Sequence, residues 1–321
     1  MAKIIGRKFI YLIAMLFIIS VISFAAINLA PNSFFASGEL NPNITPEAIE
    51  QLKKVYGLDK PLYVQFFSWI VNIMQLDFGI SFASGGSVKD EILSRIPITL
   101  TINIISMVFI FMISLYLGIK AALNKDKVVD RVVGQLSLLS FSLPSFYLAL
   151  LLVLIFSVTL EVLPIAGLHS SGLEEGTWEY YLDTAWHLIL PIGIIIFGGI
   201  GSLTLYIRSL TLEILKSDYI FWAKSRGVSK KLLLKNYILP NLYPPVITLL
   251  GLSLPGIIGG SVILEQIFSI DGMGLLFFQS ALSRDYPVIM GILIIGAFLT
   301  LLGNIIADLV LLKLNPNFKQ Q

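Results

Sequence analysis

Few residues in this 321-residue chain are equipped for covalent chemistry. There is no cysteine, which excludes disulfides, thiolate metal sites and cysteine nucleophiles. The two histidines, His169 and His187, fall in one polar stretch. They could form a metal pair, but without a nearby Cys such residues more often make plain polar surface. Gly251-Leu252-Ser253-Leu254-Pro255 begins like the elbow that presents a hydrolase serine. It lacks the closing Gly that such an elbow carries. No Gly-Lys dipeptide occurs, so there is no Walker A phosphate loop. Asp308 is the one acid well inside an apolar run. A carboxylate at a helix centre costs roughly 2.5–3.5 kcal/mol. Its place near one end of the run, with Lys313 close by, relieves that cost and favours a structural role. Arg208 stands at a helix end, from which it can snorkel.

The densest polar feature is the segment from Arg208 to Pro240. It holds seven basic side chains: Arg208, Lys216, Lys224, Arg226, Lys230, Lys231 and Lys235. Apolar residues at Leu212, Leu215, Tyr219 and Trp222 have helical spacing. Gly227 ends that helix, since glycine tolerates the left-handed conformation just past a helix end. A second helix is expected from Lys230 to Ile238, stopping before Pro240. Two amphipathic helices between apolar runs must press against something. Anionic lipid headgroups are one option, and a cytoplasmic protein is the other.

The elements that carry this segment are membrane spans. The chain is 56% hydrophobic and 13% charged, against about 25% charged for a soluble domain. It is an all-α integral membrane protein. About 20 residues cross a bilayer, and six runs suffice: Ile10–Ala30, about Pro97–Leu123, Val132–Leu160, Trp186–Ile207, Leu242–Leu264 and Tyr286–Leu312. The first is too long for a secretory h-region and is expected to be retained. Between the first two spans, Thr45-Pro46-Glu47 starts a helix that Gly57 ends. Leu62–Leu76 is an aromatic amphipathic helix suited to an interface or to packing on the spans. Pro144, flanked by Ser142 and Ser145, kinks the third span. Pro255 interrupts the fifth, where Gly256 and Gly260 have the spacing that permits close helix approach.

The basic residues orient these spans. Sixteen of the 22 Lys and Arg fall in segments on one side and six on the other. By the positive-inside rule both termini and the basic segment are cytoplasmic. Residues 1–94 then form a first span with an extracytoplasmic helical segment. Residues 95–321 form a five-helix core with cytoplasmic helices near 209–238. The net charge of +2 implies no nucleic-acid partner.

With the spans placed, the chain resembles the first-type permease subunit of oligopeptide, dipeptide and nickel ABC importers. Ala223, Gly227, Leu239 and Pro240 have the spacing of that family's coupling loop, Glu-Ala-Ala, three residues, Gly, nine residues, Ile-x-Leu-Pro. Phe221 stands in place of its Glu, Trp222 of its first Ala and Tyr237 of its Ile. Leu29-Ala30-Pro31, Thr45 to Glu50, Tyr56 to Leu62 and Asp77-Phe78-Gly79-Ile80-Ser81 are similar to its N-terminal third. Leu143 to Phe146, Leu163 to Gly167 and His187 to Pro191 resemble its central markers. Glu265 to Phe268, Asp271 to Gly274, Arg284 to Pro287 and Asn315-Pro316 resemble its C-terminal third.

The resemblance implies a type I importer permease fold in the cytoplasmic (inner) membrane of a bacterium or archaeon. It implies a second homologous permease subunit, two cytoplasmic ABC ATPases and an extracytoplasmic substrate-binding protein. ATP is then bound by the ATPases, and this chain binds no cofactor and catalyses nothing. Phe221 and Trp222 are expected to fill a groove on an ATPase. Ala223 and Gly227 allow the close approach and the turn, while Lys224 and Arg226 face acidic groups there, or water and lipid. Oligo- or dipeptides are the expected cargo, with nickel or a metal chelate as the alternative. A self-sufficient secondary carrier would show inverted repeats and several midplane charges, and a membrane enzyme a nucleophile, a base or a metal set.

Overall fold

The structure, a computed structural model, describes residues 2–29, 60–257 and 260–314. The expected outer helix from Thr45 to Gly57, the Pro31 marker and Asn315-Pro316 lie outside these residues. So do the side chains of Pro255 and Asp308.

The described elements are helical. In chain order they are α1 (Ala2–Leu29), α2 (Leu62–Met74), α3 (Val88–Leu123), α4 (Val128–Ser142) and α5 (Ser145–Leu152). There follow α6 (Trp178–His187), α7 (Ile189–Leu215), α8 (Asp218–Ser225), α9 (Lys230–Leu233) and α10 (Leu239–Ser253). Last come α11 (Val262–Ile267), α12 (Met273–Ser283) and α13 (Tyr286–Leu314). Among the described residues, three helices are long and apolar enough to cross a membrane: α3, α7 and α13 over Tyr286–Ile306.

The third expected span is not one straight helix. α4 and α5, with the wide π-helical turns Val153–Thr159 that continue α5, are bent by 99° at Leu143-Pro144. The cause is local. A residue before proline is pushed out of the helical region, and Leu143 has ψ 125°. The pair counts as a fourth span only if it is read as one broken element.

The fifth expected span is also interrupted. α10 ends at Ser253, a tight 3-10 turn covers Leu254–Ile257, and Gly260 has φ +63° before α11 begins. A Cβ on Gly256 would meet nothing within 4 Å. Among the described residues no other helix of this chain crosses closely at Gly256. The fourth span starts at Ile189, after α6, and runs on to Leu215. Arg208 to Leu215 thus belong to the span and not to the segment that follows.

The described chain falls into two compact units. One contains α1, α2, the start of α3 through Thr99, α12 and most of α13. Its core joins Val88 and Ile92 of α3 to Met273 and Leu276 of α12 and to Val288 and Ile292 of α13. Thr99 Oγ1 accepts the Met273 N–H at 2.9 Å, satisfying an orphan donor at the start of α12. Phe66 of α2 meets Phe17 and Phe24 of α1, with ring centroids 6.1 and 5.3 Å apart. The amphipathic helix packs on the first apolar helix through its aromatic face.

The other unit contains the rest of α3, α4 to α10 and Ile263–Ile270. Its helices meet where side chains are missing. A Cβ on Gly201 of α7 would stand 2.5 Å from Ser137 O and 2.8 Å from Ser140 Oγ of α4. One on Gly118 of α3 would stand 2.8 Å from Thr204 O of α7. Ser140 Oγ donates to Phe197 O across the same α4–α7 seam. These glycines have the close-packing role expected of Gly256 and Gly260. Gly201→Ala should destabilise the purified protein by about 1–3 kcal/mol through overpacking against backbone. Gly134→Ala, which faces open space, should not. Thermal melting of the two variants checks this, and equal melting points would refute the seam.

Candidate coupling segment

α7 ends at Leu215, and the chain turns at Lys216 and Ser217 before α8 begins at Asp218. Ser217 has the extended ψ of 149° typical of a residue that opens a helix. Its hydroxyl donates back to Ile214 O at 2.6 Å. This break resets the helical phase. The expected face of Leu212, Leu215, Tyr219 and Trp222 is therefore split between two helices. Ile220 and Ala223 now point inward, while Tyr219, Phe221 and Trp222 point out.

α8 ends in a full Schellman arrangement. Val228 N donates to Ala223 O at 3.2 Å and Gly227 N to Lys224 O at 2.9 Å. Gly227 has φ +76°, the left-handed value that glycine adopts without strain. Ser229 then caps α9, accepting the Leu232 N–H at 3.4 Å. The expected stop before Pro240 does not occur. α9 passes into a π-helical turn, Leu234–Ile238, and on into α10. Pro240 therefore lies within a continuous helical run, directly after the wide turn. Asn241 Nδ2 donates to Tyr237 O at 2.6 Å, giving that carbonyl a side-chain partner.

One apolar cluster holds this segment to the spans. Ile220 and Ala223 of α8 pack with Leu233 and Ile238, with Ile119 of α3 and Ile207 of α7, and with Leu242 and Val246 of α10. Ile207, Ile220, Ile238 and Leu242 are fully buried. Opposite, Phe221 and Trp222 are 64% and 61% exposed, with rings 5.9 Å apart in an edge-to-face pair. Lys224, Arg226 and Pro240 are exposed, and Leu239 is half-buried. Of the named residues, Ala223 is buried under the segment, whereas the aromatic pair and the two cations share its open side.

Arg208 does not reach for solvent. Its Nε lies 2.6 Å from Asp130 Oδ1 and its terminal nitrogen 2.8 Å from Asp130 Oδ2. This is a two-pronged, charge-assisted pair. Asp130 is 6% exposed and also accepts the Asp126 N–H at 3.0 Å. The pair ties the start of α4 to α7, about two turns before α7 ends. The positions of the two charges near apolar runs were the only sign of it in the sequence.

Other separated motifs also meet. Asp285 is 1% exposed, and its carboxylate accepts from Ser81 Oγ at 2.5 Å, Ala83 N at 3.0 Å and Phe82 N at 3.2 Å. This joins Asp77–Ser81 to Arg284–Pro287. Arg95 pairs with Asp271 at 2.9 Å. Gly167 N donates to Phe268 O at 2.7 Å, joining Leu163–Gly167 to Glu265–Phe268. At Pro144 the chain turns between α4 and α5 with φ −61° and ψ 131°.

The histidines do not converge. His169 stacks on Tyr180 with centroids 5.0 Å apart, and His187 Nδ1 lies 2.8 Å from Asp183 O. The Asp183 carboxyl is held below its ordinary range, first by the Ser170 N–H and then by the Ser170 hydroxyl and both histidines. Among the described residues no group of three or more His, Asp or Glu could hold a metal. Ser253 Oγ donates to Leu249 O at 2.8 Å, as a helix-back-bonded serine and not as a poised nucleophile.

These helices and the docked surface segment define a multi-spanning membrane protein with no catalytic constellation among the described residues. Two family models cover nearly all of it. Residues 114–320 match the binding-protein-dependent transport system inner membrane component. Residues 1–103 match the N-terminal region of the same membrane component. The chain belongs to this family of ABC importer permeases. It is 35% identical to the oligopeptide transport system permease protein AppB of Bacillus subtilis, over 99% of this chain and all of that protein. It is 34% identical to the oligopeptide transport system permease protein OppB of Haemophilus influenzae, over 99% and 100%. The metal-staphylopine import system permease protein CntB of Staphylococcus aureus is 32% identical over 87% of this chain and 85% of its own length.

The Asp130–Arg208 pair makes a separable prediction. Removing one member of a largely buried pair strands the other charge, at a cost of about 3 kcal/mol, the low end for such pairs because Arg208 is partly exposed. Asp130→Ala should lower the melting temperature of the purified protein. Replacing both residues, Asp130→Leu with Arg208→Met, should recover most of it. A double variant as unstable as the single would show that the stranded charge is not the cause.

Proposed function

We propose that this chain is the permease subunit of a peptide importer and that Asp218 to Pro240 is its contact with an ATPase. The observation that carries this is the two-sidedness of α8. One face is fixed to α3, α7 and α10, and the other presents an uncovered aromatic pair flanked by Lys224 and Arg226. A force applied to Phe221 and Trp222 is passed through Ile220 and Ala223 to α3, α7 and α10. Nucleotide is bound and hydrolysed in separate subunits, and this chain binds no cofactor. Its partners are a second permease, two ATPases, an extracytoplasmic binding protein and the lipid of the cytoplasmic membrane. Residues 1–94 serve as a first span with an outer segment and 95–321 as the transport core. The peptide reading follows the oligopeptide permeases among its relatives, and the metal-staphylopine permease supports a metal chelate as second reading.

Gly227→Val tests the contact. A side chain in the left-handed region costs roughly 1–2 kcal/mol, and a Cβ there meets nothing within 4 Å, so the effect is on the turn alone. Uptake and ATPase co-purification should both fall, as they should for Ala223→Glu, while Lys230→Ala stays near wild type. Full uptake by the first two variants would reduce the segment to a basic loop.

The topology is six spans with both termini cytoplasmic. A cysteine placed by Ser170→Cys should react with an impermeant thiol reagent in sealed cells. One placed by Ser229→Cys should be shielded until the cells are opened. The opposite labelling pattern would invert the proposed orientation.

A further inference from the structure

Within the second unit, α3, α7 and the end of α10 line a broadly open cavity of about 610 Å3. Small-ligand sites measure about 300–1,000 Å3. The polar lining comes from Asn103 and Ser106 of α3, Ser202 and Tyr206 of α7, and Ser253 of α10. None of the lining side chains carries a charge at neutral pH. The rest of the wall is apolar, with Ile110 and Leu203 among it.

Ser106 is the unusual member. It is 1% exposed, and its hydroxyl has no hydrogen-bond partner among the described residues. A helical serine or threonine usually donates to the carbonyl four residues back. Ser20, Thr211, Thr248 and Ser253 of this chain all do so. Ser106 does not, although the same kind of acceptor lies below it. A buried hydroxyl left unpaired is destabilising, and here its residue stands in the cavity wall with the hydroxyl itself covered. Asn103 is fixed by donating to Ile257 O at 2.7 Å, which holds the cavity wall in place.

We infer that this cavity is a transient site for the main-chain amides of the cargo, with the Ser106 hydroxyl as its first hydrogen-bonding partner. The inference rests on the peptide-importer reading. Hydroxyls both donate and accept, as a peptide amide does, so Ser106, Ser202 and Tyr206 can pair with any peptide unit whatever its side chain. The lining offers no counter-charge to the charged ends of a peptide, so the groups it can pair with are the amides between them. The apolar wall takes up side chains without choosing among them.

The test uses the assembled importer in proteoliposomes, with trialanine delivered by its binding protein at saturation. Ser106→Ala should lower trialanine uptake about three- to tenfold, the value of one hydrogen bond, while basal ATP hydrolysis stays unchanged. Its melting temperature should be equal to or above wild type, since an unpaired group has been removed. A merely structural serine would give a lower melting temperature. Ser106→Thr, which restores a hydroxyl, should recover uptake. The chain lacks cysteine, so Ser202→Cys can be followed with N-ethylmaleimide, and trialanine should slow its labelling during turnover but leave Ser94→Cys unaffected. Wild-type uptake by Ser106→Ala overturns the inference alone. Labelling of Ser202→Cys in the isolated chain but never in the assembled importer would mean that a partner subunit fills the cavity, and would also overturn it. Absence of trialanine uptake by the wild type would overturn the peptide reading and this site together.

Discussion

Helices in lipid gain nothing from hiding apolar surface from one another, because the surrounding chains are as apolar as they are. What can hold them is close contact and a few hydrogen bonds. The second unit is built on that constraint. α7 approaches α4 at Gly201 and α3 at Gly118, close enough that a single methyl group would collide with backbone. Ser140 and Ser114 add hydrogen bonds to the Phe197 and Ile200 carbonyls at the same seams. α7 is thereby fixed on two sides, and the segment that leaves its end inherits a rigid base.

That base makes a short helix useful. α8 has only eight residues, too few to be stable alone in water. It persists because Ile220 and Ala223 join a cluster fed by α3, α7 and α10, and because Gly227 and Val228 close its carbonyls. The Asp130–Arg208 pair secures the same corner from the other side. In a low-dielectric setting such a pair adds little net stability but penalises every arrangement that separates its members. It therefore acts mainly to fix where α4 lies along α7.

Element existence was legible where the signal is local. The apolar runs placed α1, α3, α7 and α13, and Gly227 announced the left-handed turn, since both depend on nearby sequence alone. The angle at Pro144 was not legible: a proline marks a break but not the 99° that packing selects. The face of α8 was misread because one polar pair, Lys216-Ser217, interrupts a helix whose phase had been carried across it. Gly256 and Gly260 have packing-motif spacing, yet Gly256 meets no neighbour among the described residues, while Gly118 and Gly201 do. Spacing within one helix does not say which helix it will meet. Asp130 and Arg208 are 78 residues apart, and no local pattern connects them. The open side of α8 was foreseen in its residue types, but only the fold distinguishes buried Ala223 from exposed Phe221 and Trp222.

The wide turn at Leu234–Ile238 separates the surface segment from α10. Such a turn accommodates one residue more than a regular helix would. Were it to tighten to ordinary winding, that extra residue would have to be absorbed elsewhere, and the two stretches it joins would rotate against each other by about 100°, the angular step of one residue. The joint between α9 and α10 thus holds one residue of extra winding between the surface segment and the helix that follows it.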